Sequence, residues 1–99
     1  MNAATLHTVN KAGTPPALLH SCLRMSSSGD AILLLQDGVY LVGSPVLEQA
    51  IDSGRDVFVL QSDMEARGLV MNPQQRMRLV DYTGFVELSC QYSKTISWF

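Results

Sequence analysis

Three aspartates in this chain each follow an aliphatic run. Asp37 interrupts "ILLLQDGVYL" (Ile32 to Leu41), Asp63 ends "VFVLQSD" (Val57 to Asp63), and Asp81 closes on "MRLVDY" (Met77 to Tyr82). If the runs are parallel strands, the carboxylates share the sheet edge where open α/β proteins bind ligands, with Lys11 beside them. Carboxylates and a lysine there could hold a hard cation such as Mg²⁺ and transfer phosphoryl groups. The competing reading is structural, because an aspartate at the start of a helix or turn accepts free backbone amides and meets the positive end of the helix dipole. No phosphate-cradling G-x-x-x-x-G-K loop accompanies the carboxylates, and we favour cap and turn roles.

The thiols raise a second question. Cys22 and Cys90 have neither C-x-x-C nor Cys/His spacing, which disfavours zinc, and no cofactor or metal is expected. A nucleophilic role must rest on reactivity, and half-ionising an ordinary thiol at neutral pH takes ~2 kcal/mol of local stabilisation. Leu18, Leu19 and Met25 are the helical neighbours of Cys22, while His20 and Arg24 point around the helix from it. On periodicity Cys22 faces the core. Cys90, one turn from Val86, also reads as structural, and His7, inside a short strand, as a hydrogen-bonded structural histidine.

These residues are positioned by alternating elements. Thr5 to Val9 reads as a strand, followed by a turn through Asn10 to Thr14 and a helix opening with Pro15 and Pro16 and running to about Met25. Ala31 to Leu35 is a buried strand, and Pro45 to about Asp52 a helix stopped by Gly54; the state of Val39 to Gly43 stays open. At Asp37-Gly38 we expect a strand stop and turn, the aspartate accepting nearby amides and the glycine allowing positive φ. Asp56 to Leu60 is a strand, and Ser62 to Glu65 has the form of a capping box opening a short helix that stops at Gly68. Arg78 to Val80, Tyr82 to Tyr92 and Thr95 to Phe99 read as strand, helix and strand. Strands apolar on both faces imply a sheet covered on two sides. The fold class is therefore α/β, a small three-layer sandwich with a mainly parallel sheet of about five strands, and Leu33, Leu34, Val57, Val59 and Leu79 in its core.

With 99 residues the chain is read as one domain, residues 1–99. Two cysteines are too few for a secreted disulfide framework, and Met1 to Lys11 has no basic leader or apolar signal core, so a reduced, cytosolic setting is expected. The longest aliphatic run, Ala31 to Leu35, is far short of the ~20 residues a bilayer needs. Only 16% of residues are charged against 46% hydrophobic, which points to a surface covered by partners. The seven Lys and Arg residues are scattered, which speaks against direct nucleic-acid binding.

An ordered set of fragments carries a resemblance. "LHTVNK", "SCLR", "LLLQDGVY", "VFVLQSDMEARGL", "LVDYTGFVEL" and "TISWF", from Leu6 to Phe99, closely resemble the DsrH/TusB family of small sulfur-relay subunits. The resemblance implies a DsrE-like α/β fold and assembly with DsrE/TusD-like and DsrF/TusC-like subunits into a dimer of heterotrimers. It implies that the complex carries persulfide sulfur to a DsrC/TusE-like carrier, one branch ending in 2-thiolation of wobble uridine in tRNA, another belonging to sulfur oxidation. It also makes Cys22, within Ser21-Cys22-Leu23-Arg24, the candidate sulfur acceptor of this chain. Some TusB-like members lack that cysteine, and the principal relay cysteine is expected in the DsrE/TusD-like subunit. A stand-alone receiver-like or metal-dependent phosphoryl-transfer domain is the alternative from another class.

Overall fold

The computed structural model describes Asn2 to Phe99. Five strands, β1 (Asn2–Val9), β2 (Ala31–Leu34), β3 (Asp56–Leu60), β4 (Arg78–Val80) and β5 (Tyr92–Trp98), form one sheet in the order β4-β3-β2-β1-β5. Every pairing is parallel. Four helices connect them: α1 (Ala17–Met25), α2 (Pro45–Asp52), α3 (Gln61–Ala66) and α4 (Tyr82–Gln91), with a 3-10 segment over Gln36–Gly43. The three-layer α/β reading holds.

Alternation along the central strands builds two cores. Ile32 and Leu34 of β2 and Val57 and Val59 of β3 turn to one face, where they pack with Leu19 and Cys22 of α1, Leu47 of α2 and Met64 of α3. Ala31, Leu33 and Phe58 turn to the other, against Leu88 and Phe85 of α4. Three crossovers in one direction place three helices on the first face. The long return from β4 to β5 leaves α4 on the second. An all-parallel sheet must be wrapped this way, which is why β2 is apolar at every position.

Several local expectations change. Pro15 and Pro16 precede α1 rather than opening it, and Pro16 occupies the N-cap position. Among the described residues no side chain caps α3, so the Ser62/Glu65 capping box does not form; the N-cap is Leu60 rather than Ser62, and the helix begins at Gln61, two residues earlier than that box implies. The last strand starts at Tyr92, ahead of the expected Thr95. Leu79 is 43% exposed and lies outside the core, because β4 is the three-residue edge of the sheet. The other four expected core residues are buried.

At the end of β2 the positive φ belongs to Gln36 (φ 50), not to Gly38. Gly38 is needed for a different reason: a Cβ there would overlap the backbone carbonyl oxygen of Val9. Neither group is a flexible side chain that could step aside, so Gly38→Ala should destabilise the fold by about 1–3 kcal/mol, as overpacking does. The expected result is a lower denaturant midpoint with an unchanged m-value.

Candidate functional site

At the C-terminal edge of the sheet, the carboxylates are engaged with the chain itself. The Gln36 backbone N–H donates to Asp63 Oδ2 at 2.6 Å, holding the left-handed residue in place. Arg67 Nε donates to Asp37 Oδ1 at 3.0 Å, and its Nη1 lies 3.9 Å from Asp63 Oδ1. Asp37 therefore pairs with a guanidinium rather than with the expected backbone amides. Asp81 caps α4, accepting the Gly84 N–H at 2.7 Å. Arg67 brings Asp37 and Asp63 together, and Asp81 serves its helix instead. Lys11 is exposed. Among the described residues no group of three or more His, Cys, Asp or Glu side chains could hold a metal ion.

Cys22 sits on the core side of α1 with 0% exposure. Burial pushes its thiol up to about 12, against a smaller lowering by the charge of Arg55 and a further raising by Asp30. At neutral pH such a thiol stays protonated. Arg55 is itself committed: Nε donates to Ser26 Oγ at 2.7 Å and Nη2 to the Ser26 carbonyl at 2.9 Å, tying the end of α1 to the start of β3. Cys90, by contrast, is exposed, a correction to its structural reading: it lies on the outer side of α4, away from Leu88.

The third constellation is polar and buried, and the sequence does not announce it. His7, 1% exposed, shares a 2.9 Å hydrogen bond between its Nε2 and Asp30 Oδ2. Trp98 Nε1–H donates to His7 Nδ1 at 3.1 Å. An indole N–H can only donate, so Nδ1 accepts and the ring proton lies on Nε2, directed at the carboxylate. Asp30 also accepts the backbone N–H of Thr5 and of Ser27, each at 3.0 Å. Burial pushes the Asp30 carboxyl up, but the Thr5 amide, the His7 side chain and the Ser27 amide together outweigh it and hold the group below its ordinary value. Both ring nitrogens of His7 are committed to this network. It joins β1, the turn before β2 and the end of β5, residues far apart in sequence that only the strand register brings together. His7 is hydrogen-bonded at both ring nitrogens, as its sequence reading expects.

His7 and Asp30 also line an open groove of about 730 Å³ that runs along β5, with Met25, Lys94, Ile96 and Trp98 around them.

These features define a class: a small doubly wrapped parallel α/β domain whose sheet-edge carboxylates and buried histidine serve the fold. The solution NMR structure of protein Tm0979 from Thermotoga maritima shares that fold, with a TM-score of 0.61 and 24% identity over 87% of this chain and 92% of that one. The family model described as DsrH like protein matches residues 15–95. Protein TusB of Serratia proteamaculans is 38% identical over 98 residues, spanning 94% of this chain and 99% of the relative. Protein TusB of Erwinia tasmaniensis is 39% identical over 82 residues, spanning 81% and 86%. The chain belongs to the DsrH-like family that includes these TusB proteins.

Proposed function

We propose that this chain is an accessory, scaffold subunit of a cytoplasmic sulfur relay. In this reading it assembles with DsrE/TusD-like and DsrF/TusC-like subunits into a dimer of heterotrimers and helps form the surface on which a DsrC/TusE-like carrier collects persulfide sulfur. Family membership supports the relay. The TusB name of the relatives favours service to 2-thiolation of tRNA wobble uridine over sulfur oxidation.

The observation that carries the scaffold reading is the place of Cys22. A sulfur acceptor must attack the terminal sulfur of a donor persulfide as a thiolate, forming a new S–S bond while the donor cysteine leaves as thiolate. A core thiol pushed up to about 12 offers little thiolate and no approach. The second reading, with Cys22 as the direct acceptor, draws on its match to the cysteine of DsrH-like members and on the lowering influence of Arg55. It requires α1 to move away from the sheet.

Iodoacetamide labelling of the assembled complex, read by mass spectrometry, separates the two. Cys22 should label only on unfolding, and a Cys22→Ser complex should pass sulfur to the carrier at the wild-type rate. A Cys22→Ser complex that assembles normally but transfers nothing would make Cys22 the acceptor. Loss of 2-thiouridine from tRNA when the gene is deleted is the expected result for the tRNA branch; sulfite-reductase-type neighbouring genes with unchanged tRNA would place the chain in sulfur oxidation.

A further inference from the structure

We infer that the open edge of β5 is the docking strand of this subunit: it receives an extended segment of a related subunit, and a carboxylate on that segment pairs with Lys94. The inference rests on the reading of the chain as one subunit of a heteromeric complex.

The two edges of the sheet differ. β4 offers three residues, whereas β5 offers seven, and every residue from Ser93 to Ser97 is exposed. The Asn10 N–H donates to the Trp98 carbonyl at 3.4 Å, so Trp98 turns its backbone groups toward β1. By the alternation of a strand, Lys94 and Ile96 do the same, and Thr95 and Ser97 turn their N–H and C=O outward along the open edge. Such an edge is a template for another strand, and isolated proteins keep theirs short or covered.

The groove beside the edge states what the added strand should carry. Lys94 and Ile96 pair with Thr5 and His7 in register and therefore share the face that lines it, together with Trp98 and the 70% exposed Met25. Among the described residues Lys94 has no ion-pair partner, and the groove's only carboxylate, Asp30, is spent on His7, Thr5 and Ser27. An exposed, unpaired ammonium with Thr5, Ser27 and Ser28 on one side and Met25, Ile96 and Trp98 on the other is matched by a carboxylate on a segment that also carries an apolar residue. A second copy of β5 does not supply it. From Tyr92 to Phe99 this chain has no acidic residue, so pairing β5 with itself leaves both lysines unmatched.

The test co-expresses the full chain with its two related subunits and follows assembly by sedimentation velocity. Thr95→Pro removes an outward N–H and leaves the ladder to β1 intact; Lys94→Glu reverses the charge. Each should weaken association at least tenfold while circular dichroism stays that of the wild type, and Val86→Asp, on the outer side of α4, should associate normally. Amide exchange reads the same contact without substitution: Thr95 and Ser97 should gain protection on assembly. Folded Thr95→Pro and Lys94→Glu chains that associate like the wild type, or unchanged exchange at Thr95 and Ser97, overturn the docking strand while leaving the subunit reading intact. A wild-type chain that sediments alone in the mixture overturns both.

Discussion

Asp30→Ala is expected to cost about 2–6 kcal/mol of folding stability, measured by chemical denaturation. The substitution removes the acceptor of two buried donors, the Thr5 amide and His7 Nε2–H, and each orphaned donor costs ~1–3 kcal/mol. Asp30→Asn should also lose stability despite its similar volume. One side-chain oxygen can still serve Thr5, but the amide NH₂ then faces the donors of His7 and Ser27. The effect has a pH signature. Because the folded carboxyl titrates below its unfolded value, the folded state holds fewer protons and the contribution is present above the unfolded value of ~3.9. It is lost as pH falls through the folded value. The advantage of the wild type over Asp30→Asn should therefore be full near neutrality and shrink in acid below about pH 4. A gap that stays constant into acid would mean that the ionised carboxylate contributes nothing.

Leu34→Ala should cost about 2–5 kcal/mol through lost transfer energy and the cavity left behind. Leu34 is fully buried at the centre of the sheet, between β1 and β3, and packs in the larger core. The informative comparison is Leu79→Ala, the same chemistry in a strand of similar sequence character. Leu79 is 43% exposed on the edge strand, and its loss should stay under ~1 kcal/mol. Equal losses at the two positions would contradict the strand order that makes β2 central and β4 peripheral.

The same contrast explains what was legible in the residues alone. The order of strands and helices, the parallel class and the two-sided core of β2 and β3 follow from local patterns: unbroken aliphatic runs, proline and glycine punctuation, and the Asp81 cap, all set within a few residues. Leu79 reads as core from its pattern yet stands 43% exposed, because a strand's apolar character says that it joins a sheet, not where in the sheet it lies. The state of Val39 to Gly43, which local pattern leaves open, and the partners of the turn at Gln36 to Gly38 are set the same way. The turn's geometry answers to Val9, which blocks a side chain at position 38, and to Asp63, which holds Gln36 from a helix 27 residues away.

The carboxylates and thiols divide along the same line. The absence of phosphate-loop and metal spacings favours cap and turn roles for Asp37, Asp63 and Asp81; the helical neighbours of Cys22 put it on the core face while the family resemblance makes it a candidate sulfur acceptor, and the ordered motifs indicate the family. Tertiary structure alone decided which partner each aspartate has, how far burial pushes the Cys22 thiol, and that Cys90 faces outward. It also created what no local pattern holds, the His7–Asp30–Trp98 network and the groove along β5. Hydrogen bonds across a parallel sheet join residues by register, and register is set by how the whole chain wraps; Trp98 meets His7 from 91 residues away only because the final crossover returns β5 to the side of β1.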